Sequence, residues 1–161
     1  MKYFSGSSTH KIDGKGRVSI PAGFRKVLDQ EAQPGVVLIR DVRGDPAIEG
    51  MGYGRFEELV EALDRMPLME EETVALSHAL LGDARHIQLD DTGRIVLGSD
   101  VREWAGLTDS ALFVGLGKRF QIWSPEVYAE MKPRFQSTAR GNIGRIPWGG
   151  GAAVAPRGEA S

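Results

Sequence analysis

Two segments of this chain, Asp13-Gly-Lys-Gly-Arg17-Val-Ser-Ile20 and Asp90-Asp-Thr-Gly-Arg94-Ile-Val-Leu97, repeat in register at an offset of 77 residues. The match extends past the loops: Ile12 pairs with Leu89, Gly16 with Gly93, Phe24 with Val101 and Arg25 with Arg102, all without a gap. A lone Asp-x-x-Gly-Arg string is expected by chance about 0.1 times in a chain of this length, so one copy says little. Two copies in matched apolar context point to a duplicated unit. Within 161 residues neither half buries much core alone, so the two are expected to pack intimately.

Each copy reads as strand, tight loop, strand, short helix and strand. His10, Ile12, Val18 and Ile20 alternate as in a strand, and Gly14 and Gly16 permit the positive φ of a reversal. Pro21 stops the strand and suits the start of a helix through Phe24, Val27 and Leu28. In the second copy Ser99 is expected at the N-cap, Val101, Trp104 and Ala105 form the apolar stripe, and Gly106 is the stop. Val36–Ile39 and Ala111–Gly115 read as third strands, and Phe120–Trp123 as a further one. Phe56, Leu59, Val60 and Leu63 lie at helical spacing, as do Val127 and Met131, and Arg43 to Gly54 reads as an irregular connection. The expected organisation is a first unit over residues 1–68, a bridging helix within 69–82, a second unit over 83–132, and an unstructured Gly/Arg/Ala/Pro-rich tail over 133–161.

The overall charge of −2 hides an asymmetry. Lys2, Lys11, Lys15, Arg17, Arg25 and Lys26 against Asp13 alone make residues 1–28 +5, residues 41–72 are −7, and the stretch after residue 131 is +4. Both ends therefore suit contact with phosphate. No apolar run approaches the roughly 20 residues of a membrane span, and the amino terminus lacks the apolar core of a secretory signal, so a cytoplasmic protein is expected. Without cysteine there is no disulfide or thiolate chemistry.

Enzymatic readings find little support. Gly50-x-Gly52-x-Gly54 and Gly115-x-Gly117-Lys118 match no complete phosphate-binding fingerprint and read as turns. His10, His78 and His86 lack partners at metal-ligand spacing, and Ser77 beside His78 does not make a triad. Trp104, Trp123 and Tyr128 fall on apolar faces and read as core. No catalytic residue, metal, cofactor or small-molecule substrate is expected.

The two Asp-x-x-x-Arg loops, the strand-ending Ile20-Pro21, the stretch Arg102-Glu-Trp-Ala-Gly-Leu107 and the segment Val114-Gly-Leu-Gly-Lys-Arg-Phe-Gln-Ile-Trp123 together resemble the MraZ family over about residues 1–132. That family is similar to AbrB-type regulators. The resemblance implies an α+β fold in which two tandem ββαβ units form one intrachain swapped-hairpin β-barrel with peripheral helices. It also implies a ring-forming, nucleoid-associated transcriptional regulator that binds short direct repeats in double-stranded DNA upstream of its own operon, in the division and cell-wall gene cluster. Arg17 presents a planar fork suited to a guanine edge or a phosphate, while Lys15, and with it Lys11, suits phosphate as a point charge. Asp13 and Asp90, with Gly16 and Gly93, are expected to brace the loops, either holding the arginine or fixing the turn. Arg94 is the second candidate for DNA contact. Because Thr92 stands in place of Lys15 and Asp91 adds a negative charge, the second loop is expected to contact DNA more weakly or mainly to support the fold. Two readings remain beside these: an Asp–Arg pair that simply closes each hairpin, and a ring-forming protein-interaction scaffold using the acidic middle of the chain.

Overall fold

The computed structural model describes residues 2–41 and 43–150. Of these, the residues up to Pro125 form one compact unit, and residues 126–150 a second, described by itself. The first unit runs β1 (Ser7–Lys11), β2 (Arg17–Ser19), α1 (Ala22–Leu28), β3 (Val36–Arg40), β4 (Ala47–Met51), α2 (Tyr53–Asp64) and α3 (Glu71–Ser77). One π turn over His78–Gly82 extends α3, and then come β5 (Arg85–Ile87), β6 (Arg94–Val96), α4 (Ser99–Trp104), β7 (Ser110–Gly115) and β8 (Phe120–Trp123). Together these make an α+β fold.

Six strands form an antiparallel sheet in the order β1-β7-β8-β4-β3-β5, and β2 pairs with β6 in a separate two-stranded ribbon. Exchanging each strand for its counterpart in the other half turns the six-strand order into its own reverse. Both strands of the leading hairpin thus pair with the second half: Ser7 lies opposite Val114, and Arg17 opposite Val96. The second half reciprocates, with β5 on β3 and β6 on β2. The sheet stays open, because β1 and β5 are its two edges. The closed barrel expected from the resemblance does not form: β2 and β6 are only three residues each and ladder only with one another.

The main core lies between the sheet, the ribbon and helices α1 and α4, where Phe4, Phe24, Phe113 and Phe120 pack edge-on or tilted at centroid distances of 5.1–6.3 Å. Val18 and Ile95, the central residues of the ribbon, are buried in it. A smaller cluster of Val37, Ile39, Met51, Leu63 and Leu80 involves α2 and the π turn. Val60, placed on the apolar stripe of α2 by its spacing, is exposed instead.

Three further differences from the sequence reading have physical causes. The supposed irregular connection contains β4, an interior strand hydrogen-bonded to both β3 and β8. Gly50 sits within it rather than in a turn, and the Phe120 ring occupies the space where its Cβ would stand. Gly98, not Ser99, takes the N-cap of α4, with extended backbone angles (φ −62°, ψ 160°) close to those of Pro21 at the N-cap of α1 (φ −51°, ψ 140°). Helix α5 (Pro125–Arg140), which from Glu126 belongs to the second unit, continues through Pro133, past the point where the tail is expected to begin. Pro133 removes one backbone donor without ending the helix. Short 3₁₀ turns follow at Ile143–Arg145 and Trp148–Gly150, and residues 151–161 of the expected tail lie outside the described residues.

Candidate nucleic-acid interface

The first loop is organised by one carboxylate. Asp13 Oδ1 accepts the backbone N–H groups of Lys15 and Arg17, each at 2.9 Å, and Oδ2 accepts Arg17 Nε at 2.6 Å. Backbone bonds close the turn, from Asp13 N to the Arg17 carbonyl and from Gly16 N to the Asp13 carbonyl, both 3.0 Å. Gly16 adopts φ +80°, the left-handed region where a side chain is strained. Asp13 thus fixes the turn and holds its arginine at once, which combines the two roles the sequence left open.

The second loop repeats this geometry. Asp90 Oδ1 accepts the N–H groups of Thr92 (2.9 Å) and Arg94 (3.0 Å), Oδ2 accepts Arg94 Nε at 2.9 Å, and Gly93 has φ +80°. Thr92 adds a hydroxyl bond to Asp90 Oδ1 at 2.9 Å where the first loop has Lys15. Hydrogen bonds to the charged form hold both carboxyls below the ordinary carboxylate value of 3.8, the backbone N–H of Arg17 contributing most at Asp13 and that of Arg94 most at Asp90. Both loops are therefore ionised clamps at neutral pH.

The ribbon brings the two clamps onto one surface. Residues directly opposite in an antiparallel pair share a face. The register sets Arg17 opposite Val96 and Ser19 opposite Arg94, with Val18 and Ile95 between them directed into the core. The other face, turned outward, therefore carries Arg17, Ser19, Arg94 and Val96. Arg17 and Arg94 are diagonal neighbours on it, a relation that places Cα atoms about 7–8 Å apart. Their side chains are 35% and 37% exposed, and among the described residues their terminal Nη groups make no other hydrogen bond. Lys15 is exposed at the first loop, and Lys11, also exposed, ends β1 next to that loop.

Arg25 and Arg102 are residues the sequence reading paired without giving them a role. Arg25, on α1, donates from Nη1 to the Thr92 carbonyl at 3.1 Å and occupies the space where a Gly93 Cβ would be. Arg102, on α4, places its guanidinium carbon 3.7 Å from the corresponding position at Gly16. The glycine carbonyls are tied across as well: Leu97 N donates to Gly16 O at 2.8 Å, and Ile20 N to Gly93 O at 3.0 Å. Each half supports the other's loop. The offset-77 pairing of Arg25 with Arg102 was the only trace of this in the sequence.

Burial, with Arg25's charge adding to it, lowers the pKa of His10, whose Nε2 lies 3.0 Å from Ser8 Oγ. A cleft of about 560 Å³ beside the second loop sets Arg25 and Lys26 against Asp29, Glu31 and Asp91. Among the described residues no group of three or more His, Asp or Glu side chains is placed to hold a metal ion, and no helix is long and apolar enough to cross a membrane.

The family model for MraZ protein matches residues 3–77 and 80–141 of the chain. A protein of Gluconobacter oxydans named Transcriptional regulator MraZ is 42% identical over 142 residues, covering 87% of each chain. Proteins of the same name from Parvibaculum lavamentivorans and Rhodospirillum rubrum are 41% and 42% identical, and the alignments cover 88% and 83% of this chain and 88% and 89% of the relatives.

Proposed function

The chain belongs to the MraZ family, and on that premise we propose that it is a transcriptional regulator reading double-stranded DNA through the β2–β6 ribbon. The observation that carries this reading is the common outward face of Arg17 and Arg94, each clamped by its own aspartate. A two-stranded ribbon fits a major groove about 12 Å wide, and an arginine end presents two donors to the O6 and N7 of guanine. Because Asp13 and Asp90 already hold each Nε, less side-chain freedom is lost on binding. The backbone exchange between halves supports a swapped-hairpin unit of the AbrB type.

The two loops are unequal. Lys15 adds a phosphate-seeking charge to the first, flanked by Lys11 and the basic amino-terminal segment, while Thr92 and Asp91 occupy the second. Arg17 is the leading reader and Arg94 the weaker one. One ribbon offers less surface than the roughly 600–2,500 Å² that specific protein–DNA interfaces bury. Assembly into a ring, with ribbons meeting successive direct repeats upstream of its own operon in the division and cell-wall cluster, supplies the rest through high effective concentration. This role is non-enzymatic and nucleoid-associated.

A mobility-shift titration of the DNA upstream of its own gene, run at several salt concentrations, tests the reading. Specific binding that rises steeply with repeat number and weakens with salt is expected. Absence of a specific shift at low salt favours the protein-interaction scaffold instead.

A further inference from the structure

The ribbon backbone is nearly symmetric, yet its outward face is not. The offset that relates Arg17 to Arg94 also relates Ser19 to Val96. One end of the face therefore carries an arginine opposite a valine, and the other an arginine opposite a serine. Val96 is 53% exposed, whereas Val18 and Ile95 beside it on the opposite face are buried. Single exposed apolar side chains are ordinary on protein surfaces. This one stands out by position: it is β-branched, rigid and directly opposite the leading arginine, on the face that meets DNA under the reading above.

We infer that Val96 is a specificity-determining residue that packs on the C5-methyl group of a thymine in the major groove, beside the position taken by Arg17. The chemistry is selective, because in unmodified DNA thymine alone puts a methyl group on the major-groove edge of a base pair. Its consequence is polarity. A ribbon with identical side chains at both ends would read a symmetric step equally in either orientation. Here the Arg17–Val96 end seeks a methyl-bearing neighbour, and the Arg94–Ser19 end offers a hydroxyl that accepts or donates to any polar base edge. The protein therefore lies on its site in one direction, as head-to-tail repeats require. The inference rests on the DNA-reading role proposed above.

The test uses the full chain and a duplex that it enriches from a randomised library. Each thymine is replaced singly by deoxyuridine, which removes only the methyl group, and affinity is measured for the wild type and for Val96→Ser. One replacement is expected to weaken wild-type binding about fourfold, the equivalent of about 0.8 kcal/mol for one buried methyl-sized group. The same replacement is expected to leave Val96→Ser unchanged, and Val96→Ser should bind the parent duplex about fourfold more weakly than wild type does. The wild-type scan stands independently of how the variant folds. Specific binding with no sensitive thymine, or a sensitive thymine whose penalty persists in Val96→Ser at unchanged thermal stability, overturns the inference and leaves the DNA-reading role standing. Failure to enrich any duplex overturns both.

Discussion

Arg25 of the first half holds the backbone of the second half's loop, its Nη1 lying 3.1 Å from the Thr92 carbonyl oxygen. Truncating it removes a charge-assisted bond and empties the space beside Gly93. Arg25→Ala should lower stability by about 1–3 kcal/mol. A urea-unfolding midpoint that shifts down with an unchanged slope is the expected signature, and an unchanged midpoint would show the bond to be dispensable.

The two loop glycines should respond unequally to alanine. Both lie at φ +80°, so both substitutions are strained. At Gly16 the new Cβ would sit 2.5 Å from the backbone carbonyl oxygen of Leu97, which is fixed by its place at the end of the ribbon. At Gly93 it would meet the Arg25 side chain, which can swing away. Gly16→Ala is expected to cost about 2–4 kcal/mol and Gly93→Ala about 1 kcal/mol less. Thermal melts of the two variants check the order.

On DNA, Arg17→Ala should weaken specific binding by about 1–3 kcal/mol and relax the preference at one base pair. Arg94→Ala should cost less. Lys15→Ala should lower affinity evenly across sequences and reduce the salt slope by about 1. If Arg94→Ala abolished binding while Arg17→Ala left both affinity and salt slope intact, the ranking of the loops would be reversed.

Acid should act on the loops below the ordinary carboxylate range. Asp13 and Asp90 have folded values depressed beneath 3.8, so the unfolded chain takes up their protons first as pH falls. Their stabilising contribution is fully present above about pH 5, declines as pH drops through about 4, and is lost once pH falls through the folded values. Asp90→Asn should therefore flatten the dependence of unfolding free energy on pH in that acid range and leave its slope near neutrality unchanged. An identical acid slope in wild type and variant would count against the clamp.

The duplicated loops were legible because the residues that make each turn are local: an aspartate, a glycine three residues on, and an arginine four on. Strand β4 was hidden for the opposite reason. Ala47, Ile48, Gly50 and Met51 are all buried, so the segment lacks the alternation of a half-exposed strand, and Gly50 makes sense only once the distant Phe120 ring is placed against it. The joint face of Arg17 and Arg94 was equally invisible, since it depends on a cross-half register that no local pattern encodes. The closed barrel came from resemblance alone, and the three-residue lengths of β2 and β6 left the sheet with two edges.

The exchange of hairpins also sets when the molecule can first exist. β1 pairs only with β7, so Ser7 waits for Val114 to leave the ribosome. At synthesis rates of about 5–20 residues per second, β1 spends roughly 5–20 s without its partner strand. For most of that interval, until Arg94–Val96 emerges, the nascent chain carries the arginine of its first Asp–Arg loop but lacks the strand, β6, that completes the surface on which it sits.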